Sequence, residues 1–162
     1  MPELQVRPAT EEDVPLLLDF IRELAEYEKL SHEVVADEEI LRRNLFGDGH
    51  RGAEAVIATA DGEPAGFALF FHNFSTFLGR PGIYLEDLYV RPEYRNAGIG
   101  RGLLAHLARL AVERGCGRLE WWVLDWNEPA IGFYEKLGAE AMDDWTVYRV
   151  AGEALERLAE EA

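Results

Sequence analysis

Apolar residues along this chain fall at two spacings, and the switches between them divide it into elements. Leu4–Pro8 alternates apolar and polar positions, as a short strand does. Thr10 can cap a helix, with Asp13 three residues on in a capping-box position. Val14, Leu17, Leu18, Ile21, Leu24 and Ala25 then recur at helical spacing to about Lys29. A second, shorter helix is expected over Asp37–Phe46, stopped by Gly47. Ala53–Ala60 and Pro64–His72 read as strands joined through Asp61-Gly62, a hairpin signal. Ile83–Val90 is a third long strand. Gly100–Arg114 follows as a helix with Leu103, Leu104, Leu107 and Leu110 inward. Arg118–Leu124 returns to strand spacing, and Asn127-Glu128-Pro129 opens a helix that ends at Gly138. Trp145–Val150 is expected as a last strand and Glu153–Glu160 as a short acidic helix.

The hairpins require antiparallel pairing, whereas the strand–helix–strand unit over Ile83–Leu124 requires a parallel neighbour and a crossover helix. The fold class that satisfies both is α/β, a central twisted mixed sheet with helices on both faces. At 162 residues one core suffices, so a single domain over 1–162 is expected, with no internal repeat or long linker.

Composition narrows the chemistry. A 48% hydrophobic content rules out a disordered chain. No apolar run reaches the roughly 20 residues of a membrane span, and the start MPELQVRPAT lacks a signal peptide's basic and apolar regions. The lone Cys116 offers neither a disulfide framework nor a metal-ligand spacing. These features lead to the expectation of a cytoplasmic, soluble, metal-free protein. Sixteen basic against thirty-one acidic residues leave a net charge of −15. Such a surface repels nucleic acid and anionic membrane and draws in cations, although acidity alone also serves solubility.

The stretch richest in chemistry runs from Tyr84 to Gly100. A strand ends near Val90, a turn follows, and a helix begins around Gly98. Gly98 and Gly100 remove side chains where a backbone must approach a ligand. The N–H groups of Asn96, Ala97, Gly98, Ile99, Gly100 and Arg101 then point over the helix start, where the dipole and the charges of Arg95 and Arg101 favour an anion. The spacing matches neither the Walker A loop nor the dinucleotide fingerprint. Spacing thus leads to a phosphate-bearing cofactor whose identity stays open.

Arg95-x-x-Gly98-x-Gly100, between a strand and a helix, resembles the central motif of the GCN5-related N-acetyltransferase (GNAT) superfamily. Glu86-Asp87-Leu88-Tyr89-Val90, Asp125-Trp126-Asn127-Glu128-Pro129-Ala130 and Phe133-Tyr134 follow in the family's order, so the resemblance spans the chain. The Tyr-Leu-Glu-Asp strand and the Trp-Asn-Glu-Pro turn look like the diamine branch, whose members act on spermidine, spermine or thialysine. The resemblance implies direct acetyl transfer from acetyl-CoA to a small primary amine, in a ternary complex, by a homodimer. It places the pyrophosphate on the glycine turn and the pantetheine along the backbone of Leu88, Tyr89 and Val90. Asn127, Pro129 and Ala130 would line the same arm, with Asn127 also the cap of its helix.

An alkyl amine has a pKa near 10.4 and arrives as an unreactive cation, so a carboxylate must hold it and take its proton. The resemblance gives that role to Glu86, directly or through water. Strand alternation sends Glu86 and Asp87 to opposite faces, and Asp87 is a candidate for binding the amine or an ordinary strand carboxylate. By periodicity Tyr134 is a core aromatic; by resemblance its phenol donates the proton to the departing thiolate and it also contacts the cofactor. Tyr27, Glu28, Glu120, Trp121, Asp144 and Trp145 are candidates for the amine pocket, as acidic and aromatic groups suit an alkyl-ammonium. The segment Asn73–Gly79 is neutral, which favours a shorter diamine or lysine-like amine over long polyamines. Two other readings are a peptide or protein N-acetyltransferase and a non-catalytic coenzyme-A-binding sensor. Cys116 lies away from the predicted site, against a covalent cysteine route.

Overall fold

The computed structural model describes residues 2–162. It divides into two compact units, Met1–Trp122 and Val123–Ala162.

The first unit holds a five-stranded sheet in the order β1 (Leu4–Pro8), β2 (Glu54–Ala60), β3 (Glu63–Ser75), β4 (Arg80–Val90) and β5 (Leu119–Trp121). The first three pairings are antiparallel, and β4 pairs β5 in parallel. The crossover between β4 and β5 carries α3 (Ile99–Glu113), so the mixed sheet expected from the hairpins and the strand–helix–strand unit is present. Asp61 and Gly62 both take positive φ, 49° and 83°, as the tight β2–β3 turn demands.

Alternation decides which side of the sheet each helix covers. Ala55, Ile57, Phe67, Leu69 and Tyr89 form one face, against Leu17, Phe20 and Leu24 of α1 (Val14–Tyr27) and Leu45 of α2 (Glu38–Phe46). Phe20 stacks on Phe67 with centroids 5.3 Å apart and meets Tyr89 edge-on. The opposite face receives α3 through Leu103, Leu104 and Leu107. Each buried Leu or Phe contributes roughly 1.5–3 kcal/mol, so both sheet faces are held mainly by burial. Thr10 and Asp13 form the expected capping box, followed by a turn of 3-10 helix and then α1. Asp37 caps α2 by accepting the Ile40 N–H at 2.8 Å.

Arg114, just past α3, clamps Glu54 of β2 with two hydrogen bonds of 2.8 and 3.0 Å and lies over the Phe70 ring. The pair lowers the pKa of Glu54, chiefly through the hydrogen bonds from Arg114.

The second unit contains α4 (Glu128–Lys136) and α5 (Gly152–Ala159). The expected strand Trp145–Val150 is absent: these residues are exposed, and among the described residues no strand pairs with them. An extended segment without a ladder partner leaves its backbone groups to water and gains nothing from its β-branched and aromatic side chains. Arg118–Leu124 is also shorter than expected, reduced to Leu119–Trp121.

Candidate active site

The site is built around an irregularity in β4. Leu69 pairs with Asp87 but Phe70 pairs with Leu85, which leaves Glu86 as an extra residue, a β-bulge. The parallel ladder from β4 to β5 runs from Ile83↔Leu119 to Leu85↔Trp121 and stops where the bulge begins. Beyond it Leu88, Tyr89 and Val90 keep β3 on one side and, among the described residues, have no strand on the other. That open edge is what a strand-like ligand needs.

The bulge removes the basis for placing Glu86 and Asp87 on opposite faces by simple alternation. Its neighbours Leu85 and Asp87 already lie on opposite faces, so Glu86 cannot alternate with both. Both carboxylates instead share an electrostatic cluster with Glu28, the C-cap of α1. Asp87 is raised to about 7, first by burial and then by the charges of Glu86 and Glu28. Glu28 is raised by burial and by Glu86. Glu86 itself is exposed. Sequence reasoning gave Glu86 priority, but Asp87 is the carboxylate whose proton affinity is most altered. Its signal was present only in the register slip, which alternation along a single strand cannot reveal.

Tyr84 entered the sequence reading only as part of the strand motif and was given no site role. It is half-buried two residues before the bulge, its ring 5.0 Å from Phe71 and edge-on to Trp122 at 5.8 Å. Burial raises its pKa first, followed by the charges of Glu86, Glu120 and Asp87. Glu120, opposite Tyr84 on β5, accepts a hydrogen bond from Asn73 at 3.2 Å. Trp121 lies beside it, half-buried on the same strand. The sheet thus gathers Tyr84, Glu86, Asp87 and Glu120 into one acidic and aromatic surface, with Glu28 reaching it from α1. Tyr27, the last residue of α1, is partly exposed.

After Val90 the chain makes a 3-10 turn at Pro92–Tyr94 and enters α3 through Asn96 at φ 66° and Gly98 at φ 81°. Gly98 is the N-cap of α3, one residue earlier than spacing indicated. A Cβ placed on it would meet nothing within 4 Å, so the space beside the helix start is open. The first turn of a helix leaves its N–H groups unpaired within the helix, and here they belong to Ile99, Gly100 and Arg101. Arg101 is exposed; Arg95 is folded back, donating from Nε to the Val90 carbonyl at 2.9 Å. These features fit a diphosphate group: an open helix N-terminus, left-handed backbone at two positions, and the exposed guanidinium of Arg101, whereas that of Arg95 turns away from the position spacing gave it.

The remaining candidates belong to the second unit. Asn127 occupies the N-cap of α4, but its side chain makes no capping hydrogen bond; its carbonyl accepts the Ile131 N–H at 3.1 Å. The expectation of side-chain capping is thus corrected. Pro129 at the start of the helix sacrifices an N–H that has no intrahelical partner in any case. Ala130 is half-buried. Tyr134 is half-exposed with its ring 5.6 Å from Phe133, and its carbonyl accepts from Leu137 and Ala139 as the helix closes on Gly138. Asp144 and Trp145 are exposed on the segment that forms no strand. Among the described residues no group of His, Cys, Asp and Glu is placed to hold a metal.

Residues 17–139 match the acetyltransferase (GNAT) family. The chain belongs to that family. It is 43% identical over 166 residues to thialysine N-epsilon-acetyltransferase of Bos taurus, covering 96% of this chain and 97% of the relative. L-ornithine N5-acetyltransferase of Arabidopsis thaliana is 33% identical, with 95% of this chain and 87% of the relative covered. Among solved structures, an integron cassette protein from V.cholerae superposes with a TM-score of 0.80 at 28% identity, over 97% of this chain and 98% of the other. The GNAT chain is therefore an enzyme, an amine N-acetyltransferase on an α/β fold. Proteins of the family generally use acetyl-CoA as donor. No helix is long and apolar enough to cross a membrane among the described residues.

Proposed function

We propose that this GNAT enzyme acetylates one amine of a small diamine or lysine-like substrate, with acetyl-CoA as donor and Glu86 and Tyr134 as catalytic groups. The observation that carries this reading is the carboxylate cluster of Glu28, Glu86 and Asp87 at the bulge, where burial raises the proton affinity of two members. Bringing like charges together is costly unless a cation occupies the site for part of the cycle. A second ammonium group on the substrate supplies that cation, and Tyr84 and Glu120 extend the acidic surface along the sheet. The thialysine and ornithine acetyltransferases among its relatives act, by their names, on amino acids that carry a second amine, which supports the class.

Acetyl-CoA supplies an activated acetyl group and leaves as the thiol. The N–H groups at Asn96–Arg101 and the guanidinium of Arg101 would hold its diphosphate, with Arg95 in the turn contributing through its backbone. The open edge at Leu88, Tyr89 and Val90 would receive its pantetheine, and Asn127, Pro129 and Ala130 are assigned to the same arm by the family's motif order. Glu86 takes the proton from the substrate ammonium, directly or through water, so that nitrogen carries a lone pair. Tyr134 donates its phenolic proton to the thiolate sulfur as the carbon–sulfur bond breaks and the amide forms.

We place both structural units in one functional domain, as the family match crosses the boundary between them. The exposed Trp145, Val147, Tyr148 and Val150, with Leu155 and Leu158 of α5, favour a homodimer in which a second copy covers the C-terminal segment. A cytoplasmic location completes the proposal.

The test is thiol release from acetyl-CoA with putrescine, spermidine, spermine, thialysine, ornithine, lysine and a basic peptide. Turnover on a short diamine or lysine-like amine supports the reading. Turnover on the peptide alone transfers the assignment to a protein N-acetyltransferase, and tight coenzyme A binding with no turnover to a sensor.

A further inference from the structure

Arg95 stands in the turn assigned to the diphosphate, yet its guanidinium reaches the other way. Nε donates to the Val90 carbonyl, and the guanidinium carbon lies 5.1 Å from the centre of the Tyr27 ring and 5.8 Å from that of Tyr89. No carboxylate among the described residues forms an ion pair with it. Tyr27 is the last residue of α1, and Glu28, next in the chain, belongs to the carboxylate cluster.

The end of α1 is a strained place to hold three acids. The helix C-terminus carries the negative end of the helix dipole, and Glu28 adds charge to it beside Glu86 and Asp87. Lys29 completes the turn in the left-handed region at φ 62°, and Leu30 closes it by donating to the Ala25 carbonyl. Charge on these acids disfavours a close approach of this end to the sheet. Two arginines that follow β4 pull it back. Arg91 binds Glu23 with 3.0 and 3.1 Å hydrogen bonds and lies over Phe20, while Arg95 seizes the final residue of the helix by its ring. Arginine suits the task, since its flat, weakly hydrated cation stacks on an aromatic face without needing an acid.

We propose that Arg95 is a positioning residue for the amine as well as a residue of the diphosphate turn, so that the two substrates bind with positive coupling transmitted through Tyr27 to Glu28. The inference rests on the reading of the glycine turn as the coenzyme A site. Ordering that turn fixes Arg95, Arg95 fixes the end of α1, and Glu28 is then already in place when the ammonium arrives. Reciprocity requires the amine to tighten coenzyme A by the same factor.

The experiment measures dissociation constants by calorimetry for the amine that the wild-type enzyme acetylates best, with and without saturating coenzyme A. It uses wild type, Arg95→Ala, Arg95→Lys, Tyr27→Leu, Tyr27→Phe and the Arg95→Ala/Tyr27→Leu double variant. Wild type is expected to bind the amine about 5-fold or more tightly when coenzyme A is present. Tyr27→Leu should abolish that coupling, read as the ratio of amine affinities with and without coenzyme A, and Tyr27→Phe should preserve it. Arg95→Lys should retain only part. The double variant should lose no more coupling than either single one, the non-additivity expected of groups acting through each other. Coupling that survives in Tyr27→Leu, or an Arg95→Ala variant whose only defect is weaker coenzyme A binding, overturns the proposal while the function stands. Wild-type enzyme that binds no coenzyme A, or acetylates no amine, overturns the functional reading and this inference with it.

Discussion

Asp87 is the residue whose surroundings most alter its chemistry. Its pKa is raised to about 7, so between the ordinary value of 3.8 and 7 the folded chain holds a proton that the unfolded chain has released. Folding stability therefore falls as pH rises through that window and levels off above it. Asp87→Asn should remove this slope and raise the melting temperature at pH 7.5 by roughly 2–4 °C, equivalent to about 1 kcal/mol. Thermal unfolding at pH 5 and 7.5 would check it; a variant with an unchanged slope would show that the shift belongs elsewhere. Tyr134 makes a different kind of claim. Tyr134→Phe should lower kcat by roughly 10²–10⁴-fold while coenzyme A binding, followed by calorimetry, stays the same. Full turnover in that variant would remove the phenol from the mechanism.

At the scale of elements, the turn into α3 is where backbone conformation and ligand binding coincide. Gly98→Ala should cost about 1 kcal/mol, since open space leaves only the left-handed backbone to oppose it. The same substitution should weaken coenzyme A binding, because the helix N-terminus can no longer keep its present angle; denaturation and calorimetry on one preparation measure both. Most of the elements could be read from spacing: the capping box at Thr10, the Asp61-Gly62 hairpin and the parallel crossover through α3 each follow from local residue chemistry. What could not be read depends on partners distant in sequence. Trp145–Val150 has strand composition but no strand beside it, and composition cannot supply one. β5 stops where a bulge on its neighbour begins. Arg95 carries the phosphate-turn spacing, but its side-chain direction was decided by a ring on α1. Asn127 holds the cap position without capping.

Across the whole molecule, a net charge of −15 creates a long-range field that favours the approach of a dication. The value of kcat/KM for a diamine should fall several-fold as salt rises from about 0.02 to 0.5 M, while kcat changes little, since salt screens encounter more than chemistry. A salt-independent kcat/KM would mean that only the local carboxylates attract the substrate. The bulge at Glu86 has a reach of similar extent. By inserting one residue between Leu85 and Asp87, it lets Leu85 face α3 while Tyr89, four positions on, faces α1. In an unbroken strand those two side chains would share a face. Substituting Glu86 therefore alters one carboxylate, whereas deleting it would leave Leu85 and Asp87 on their present faces by ordinary alternation and remove only the bulge itself. The core therefore has no need of the extra residue, and only the site does: lineages that abandon acetyl transfer are free to drop it and let the strand run straight.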